Sequence, residues 1–117
     1  MTKKQDQVPE DRLELYRRAI ATRQELELKG GLKLPHTSSN GTMFSSLTKD
    51  GRLGLRLSEE DREAFSKEYD AVQFKNYGAN IKEHLEVPEE LFQQPEELGR
   101  WLIRALEYVN TLPAKKK

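Results

Sequence analysis

The segment Thr42–Leu57 restricts the fold more than any other part of the chain. Two runs, Thr42 to Thr48 and Arg52 to Leu57, flank Asp50-Gly51, a pair that tolerates the positive φ of a tight hairpin turn. Leu53, Leu55 and Leu57 alternate with Arg52, Gly54 and Arg56. A strand places successive side chains on opposite faces, so the leucines point to a core and the arginines to the other face. Met43 and Leu47 match the leucines from the partner strand, which puts Phe44 on the arginine side unless the register is shifted by one.

A hairpin with one apolar face needs a covering layer, and the flanking sequence supplies helices. Leu13, Tyr16 and Ile20 recur at helical spacing behind Val8-Pro9 and the acidic Glu10 and Asp11, and Gly30-Gly31 stops the pattern; this predicts a helix of about five turns. Its Arg12, Arg17, Arg18 and Arg23 are balanced by Glu14, Glu25 and Glu27 and read as a solvated face. Residues 31–41 read as a brief strand or extended lead-in followed by a loop. Ser58 followed by Glu59, Glu60 and Asp61 has the form of a capping box, with Asp61 reaching back to the cap, and opens a short helix to about Tyr69.

Val72 to Lys75 and Ile81 to Val87 read as two strands around Tyr77-Gly78-Ala79-Asn80. Ile81, Leu85 and Val87 take one face and Lys82, His84 and Glu86 the other, with Glu83 breaking the alternation. Pro88 ends the strand, and Pro95 with Glu96 and Glu97 starts a last helix striped by Leu98, Trp101, Leu102, Ala105, Leu106 and Val109. Trp101 lies within this stripe and reads as core. The order of elements suits an α+β fold: a two-layer α/β sandwich with a mainly antiparallel sheet, helices on one face and the other face open. The organisation expected is a flexible arm over residues 1–9, one domain over 10–112 and a basic tail over 113–117.

The 117 residues suffice for one core, burying roughly 65% of the surface the unfolded chain exposes. The absence of cysteine excludes disulfides, thiolate catalysis and sulfur-ligated metals. No apolar signal segment or membrane span is visible, so a cytoplasmic location is the default expectation. Twenty basic and twenty acidic residues cancel overall. Their placement is uneven: residues 31–57 hold Lys33, Lys49, Arg52 and Arg56 against Asp50 alone, whereas residues 58–114 hold six basic against thirteen acidic. A general nucleic-acid binder shows a basic excess over the whole domain; here the excess is local.

His36 and His84 are the only histidines, and a metal would need carboxylates to complete its shell. Glu83 and Glu86 lie near His84 in sequence, but strand alternation puts Glu83 on the opposite face, so His84 reads as a surface residue. Ser38, Ser39, Ser45 and Ser46 lack a nucleophile-elbow pattern. Neither a cofactor nor a metal is expected, and no enzyme is indicated. The open sheet face remains as the candidate surface, with Phe44 among Arg52, Arg56, Lys82 and His84. An aromatic among basic groups can stack bases and contact phosphates, and the same face suits self-association or a peptide partner.

The run Lys49-Asp50-Gly51-Arg52-Leu53-Gly54-Leu55-Arg56-Leu57 after Met43-Phe44, then Glu60-Asp61-Arg62-Glu63-Ala64-Phe65, resembles the TfoX N-terminal domain family. Leu85-Glu86-Val87-Pro88-Glu89-Glu90-Leu91 and Pro95-Glu96-Glu97-Leu98-Gly99-Arg100-Trp101 extend the resemblance over roughly residues 41–109. It implies a two-layer α/β domain similar to type III secretion chaperones, a link to regulators of natural competence, and no catalytic site. Met43-Phe44-Ser45-Ser46 stands where the family often has Met-Phe-Gly-Gly, and the C-terminal domain of the full-length regulators has no counterpart here. On these grounds the expectation is a non-enzymatic binding or regulatory module for an unknown protein partner or a second copy of itself. The alternative is nucleic-acid binding through the basic open face, helped by the Lys115 to Lys117 tail.

Overall fold

The computed structural model describes residues 8–31, 34–76 and 79–112; the terminal segments expected to be an arm and a tail, apart from Val8 and Pro9, lie outside them. Its elements in chain order are α1 (Glu10–Ala21), β1 (His36–Ser39), β2 (Thr42–Leu47), β3 (Leu53–Arg56), α2 (Glu59–Tyr69), β4 (Gln73–Asn76), β5 (Ala79–Glu86), α3 (Glu89–Phe92) and α4 (Pro95–Asn110). The strands form one antiparallel sheet in the order β1-β2-β3-β5-β4. Helix α4 crosses β1, β2 and β3 and packs on α1, while α2 lies against β5. The result is the expected α+β two-layer sandwich.

Tight turns link the central strands. Asn40 and Gly41 both have positive φ, 54° and 81°, between Ser39 and Thr42, the conformation that a two-residue hairpin of the right-handed twist requires. The β2–β3 turn closes as expected on Gly51, φ 88°, whose N–H donates to the Thr48 carbonyl at 3.0 Å.

Helix α1 is shorter than the apolar spacing suggests. It ends at Thr22, whose hydroxyl and N–H both turn back to the Ala19 carbonyl. Gly99 of α4 sits so close to Thr22 that a Cβ there would collide with the Thr22 hydroxyl. The chain then runs irregularly, keeping Leu26 buried, and pairs Lys29 with His36 along the outer edge of β1. Continuing the helix to Gly30 would leave that edge open.

One cluster forms the core: Leu13, Tyr16 and Ile20 from α1, Leu47, Leu53 and Leu55 from the sheet, Phe65 from α2 and the Leu98–Val109 stripe of α4. Val8 is buried with them. Trp101, the expected core residue, meets Phe65 edge-on at 4.9 Å. Beneath α1, Tyr16 and Thr37 share hydrogen bonds with the Ser45 hydroxyl, at 2.5 and 2.6 Å, so each buried hydroxyl has a partner.

The Ser58 cap holds: its hydroxyl accepts from the Asp61 N–H at 3.1 Å. The reciprocal half of the box does not form, because the Asp61 carboxylate instead accepts from Arg104 of α4 at 2.9 Å. Asn76 pairs with Ala79, so Ala79 and Asn80, expected in a turn, belong to β5; the turn at 77–78 is outside the described residues. The short α3 was not anticipated.

Candidate functional site

The sheet face opposite the helices is not uniformly wet. Phe74 of β4 is only 1% exposed yet stands apart from the main core cluster. Its ring lies flat on β3 at Gly54, where a Cβ would meet ring carbons at 2.5–2.6 Å. Glycine is therefore required at position 54 by close approach, not by φ. The His84 ring stacks beside Phe74, centroids 6.0 Å apart and planes 28° from parallel, and the Arg52 guanidinium lies 5.7 Å above it.

Phe44, expected on this face, is 2% exposed and part of the helix-covered core. The cause is a bulge: Thr37 pairs with Ser45 while Ser38 pairs with Met43, leaving Phe44 as the extra residue. An extra residue resets the alternation, so Phe44 and Ser45 both reach the core and Met43, 39% exposed, moves to the outside. An aromatic does sit among the basic groups, but it is Phe74.

His84, read as a surface residue, is 8% exposed. Its Nδ1 pairs with the Lys82 carbonyl at 2.9 Å. Burial pushes the imidazole below its ordinary value; the Lys82 carbonyl and Glu83 oppose that shift and Arg56 adds to it. Lys82 itself is exposed and faces away from Phe74, lining a separate wide depression with Arg62, Glu63 and Lys67 of α2. Arg52, Arg56 and His84 are thus brought together, and Phe44 and Lys82 are not.

Both arginines have carboxylate partners. Arg52 Nε binds Asp50 at 3.0 Å and its Nη1 donates to the Lys75 carbonyl at 2.6 Å. Arg56 Nε and Nη2 contact Glu83 Oε1 at 2.8 and 2.7 Å, and the Tyr108 hydroxyl donates to Oε2 at 2.9 Å. Glu83 reaches them because its φ is +65°, the left-handed residue of an irregularity in β5 between the pairs Gln73–Leu85 and Lys75–Asn80. The Gln73 amide fills the irregularity, donating to the carbonyls of Ile81 at 2.8 Å and His84 at 3.1 Å. Burial raises the Glu83 pKa, but the Tyr108 hydroxyl and Arg56 outweigh it and hold the carboxyl below its ordinary value.

A pocket of about 280 Å³ opens on this face. Phe74, Met43 and Ile81 supply its apolar wall; Thr42, Ser46, Arg56 and His84 supply polar atoms, and Gly41 completes the rim. Among the described residues no cluster of three His, Cys, Asp or Glu is placed to hold a metal ion, and no helix is long and apolar enough to cross a membrane. No protein-family model, curated protein or solved structure matches the chain.

Proposed function

We propose that this chain is a non-enzymatic binding module whose open sheet face takes a protein partner. The observation that carries the reading is the Phe74-floored pocket beside exposed Met43: a hollow with an apolar wall and polar groups beside it, on a sheet face otherwise left bare by the helices. Such a hollow suits one inserted side chain of a partner. The resemblance to the TfoX N-terminal domain family supports the same reading, since it implies a regulatory domain without catalytic residues. Nucleic-acid binding is the weaker alternative, because Arg52 and Arg56 are already engaged by Asp50 and Glu83. Both charges are compensated within the chain, whereas tracking a phosphate backbone takes several uncompensated cations.

Selection of random displayed peptides on the intact chain, counter-screened on Met43→Glu, tests the proposal. Enriched peptides should lose binding to the variant, which places a charge at the apolar rim without touching the core. Peptides indifferent to Met43→Glu, or no enrichment at all, would refute the reading.

A further inference from the structure

The pocket's polar groups favour a particular occupant. Among the described residues no carboxylate lines it, although acidic residues are as common as basic ones in the chain. The left-handed turn at Glu83 explains this: it sends the carboxylate to Arg56 Nε and Nη2 and to Tyr108, behind the guanidinium. Among the described residues, Arg56 Nη1, His84 Nε2 and the Thr42 and Ser46 hydroxyls make no hydrogen bond, and none of these atoms is buried away from solvent. Unengaged hydrogen-bonding groups thus gather beside an aromatic floor with no negative charge among them.

We infer that the occupant is an extended segment of a protein partner with an acidic residue next to an apolar one. The apolar side chain packs on Phe74 and Met43; the carboxylate takes the free Arg56 N–H groups, with His84 and the hydroxyls beside it. The inference rests on the proposed protein-binding role of this face. A guanidinium held from behind by Glu83 and Tyr108 is oriented before the partner arrives, so it loses little freedom on binding. A nucleic acid fits less well, because backbone tracking needs several unpaired cations and stacking needs more than one aromatic platform.

The test is an amide-shift titration of the full labelled chain with N-acetyl-Leu-Glu-amide and, separately, N-acetyl-Leu-Gln-amide. The Glu peptide should shift residues 41–46, 54–56, 74, 81 and 84 saturably. The Gln peptide should bind about fivefold more weakly, the scale of a partly exposed charge-assisted contact. Arg56→Gln should erase the difference between the peptides; because it also frees Glu83, Met43→Glu serves as the second variant and should weaken the Glu peptide. Equal binding of the two peptides, or silence of this face toward both, would overturn the acidic preference. In either case the displayed-peptide selection still decides whether the face binds protein: enriched peptides that lack acids yet lose binding to Met43→Glu would leave the broader role standing. Salt-sensitive shifts of these residues with a short oligothymidylate, and none with peptides, would overturn both.

Discussion

Replacing Gly54 with alanine tests whether Phe74 is as tightly seated as its geometry indicates. The new methyl would stand 2.5–2.6 Å from three ring carbons of a residue that is 1% exposed, so the ring must tilt off the sheet. Overpacking of this kind costs about 1–3 kcal/mol. Removing a glycine from a strand returns about 0.5–1 kcal/mol through the unfolded chain. The net loss spans about 0–2.5 kcal/mol and centres near about 1 kcal/mol, a fall of about 3–6 °C in Tm for a domain of this size. Urea unfolding followed by the fluorescence of Trp101 measures it. The same substitution in a Phe74→Ala background isolates the cause. Phe74→Ala alone should cost about 3–4 kcal/mol, but with the ring gone the alanine at position 54 has room and should be neutral or slightly stabilising. A coupling of at least about 1 kcal/mol between the sites is therefore expected. A coupling near zero, with the cost of Gly54→Ala unchanged by removing the ring, would refute the packing described for this face.

Three further outcomes follow from the same structure. The His84 imidazole sits below its ordinary value of 6.5, so the unfolded chain takes up its proton first; stability present above that value falls as pH drops through the depressed folded value, and His84→Gln should flatten this limb of a urea-midpoint profile. The Glu83 carboxyl lies below its ordinary 4.5, so its contribution is present above that value and lost as pH falls through the folded one; Glu83→Gln should remove this second, more acidic limb. Tyr16→Phe deletes one partner of a buried hydroxyl trio while Ser45 keeps Thr37, and should cost about 1–2 kcal/mol by chemical denaturation, with the shape of the amide spectrum preserved.

Much of the framework was legible because local chemistry and tertiary packing agree. The leucine alternation of β3, the Ser58 cap, the Pro95 start and the apolar stripe of α4 all appear where their residues indicate. The Asn40-Gly41 hairpin was also open to reading, since that dipeptide is a strong turn signal, but the polar run around it obscured the flanking strand. What could not be read from alternation was the bulge at Phe44, because one inserted residue reverses every face assignment on its side of the insertion. Glu83 did show itself as a break in the pattern, and the break is a real left-handed residue. Phe74 escaped notice as a site residue because its environment is assembled from β3 and β5, with Gly54 the one local hint that something packs close to the backbone.

The central claim is that the Phe74 face contacts protein and not nucleic acid. Its most direct test is a pair of amide-shift titrations of the labelled chain, one with short single- and double-stranded DNA at low and moderate salt, the other with a peptide selected on the intact face. The account predicts that the peptide moves residues 42–46, 54–56, 74 and 81–84 while DNA leaves them unchanged. Shifts of those same residues with DNA that fade as salt rises, together with silence toward the peptide, would contradict it.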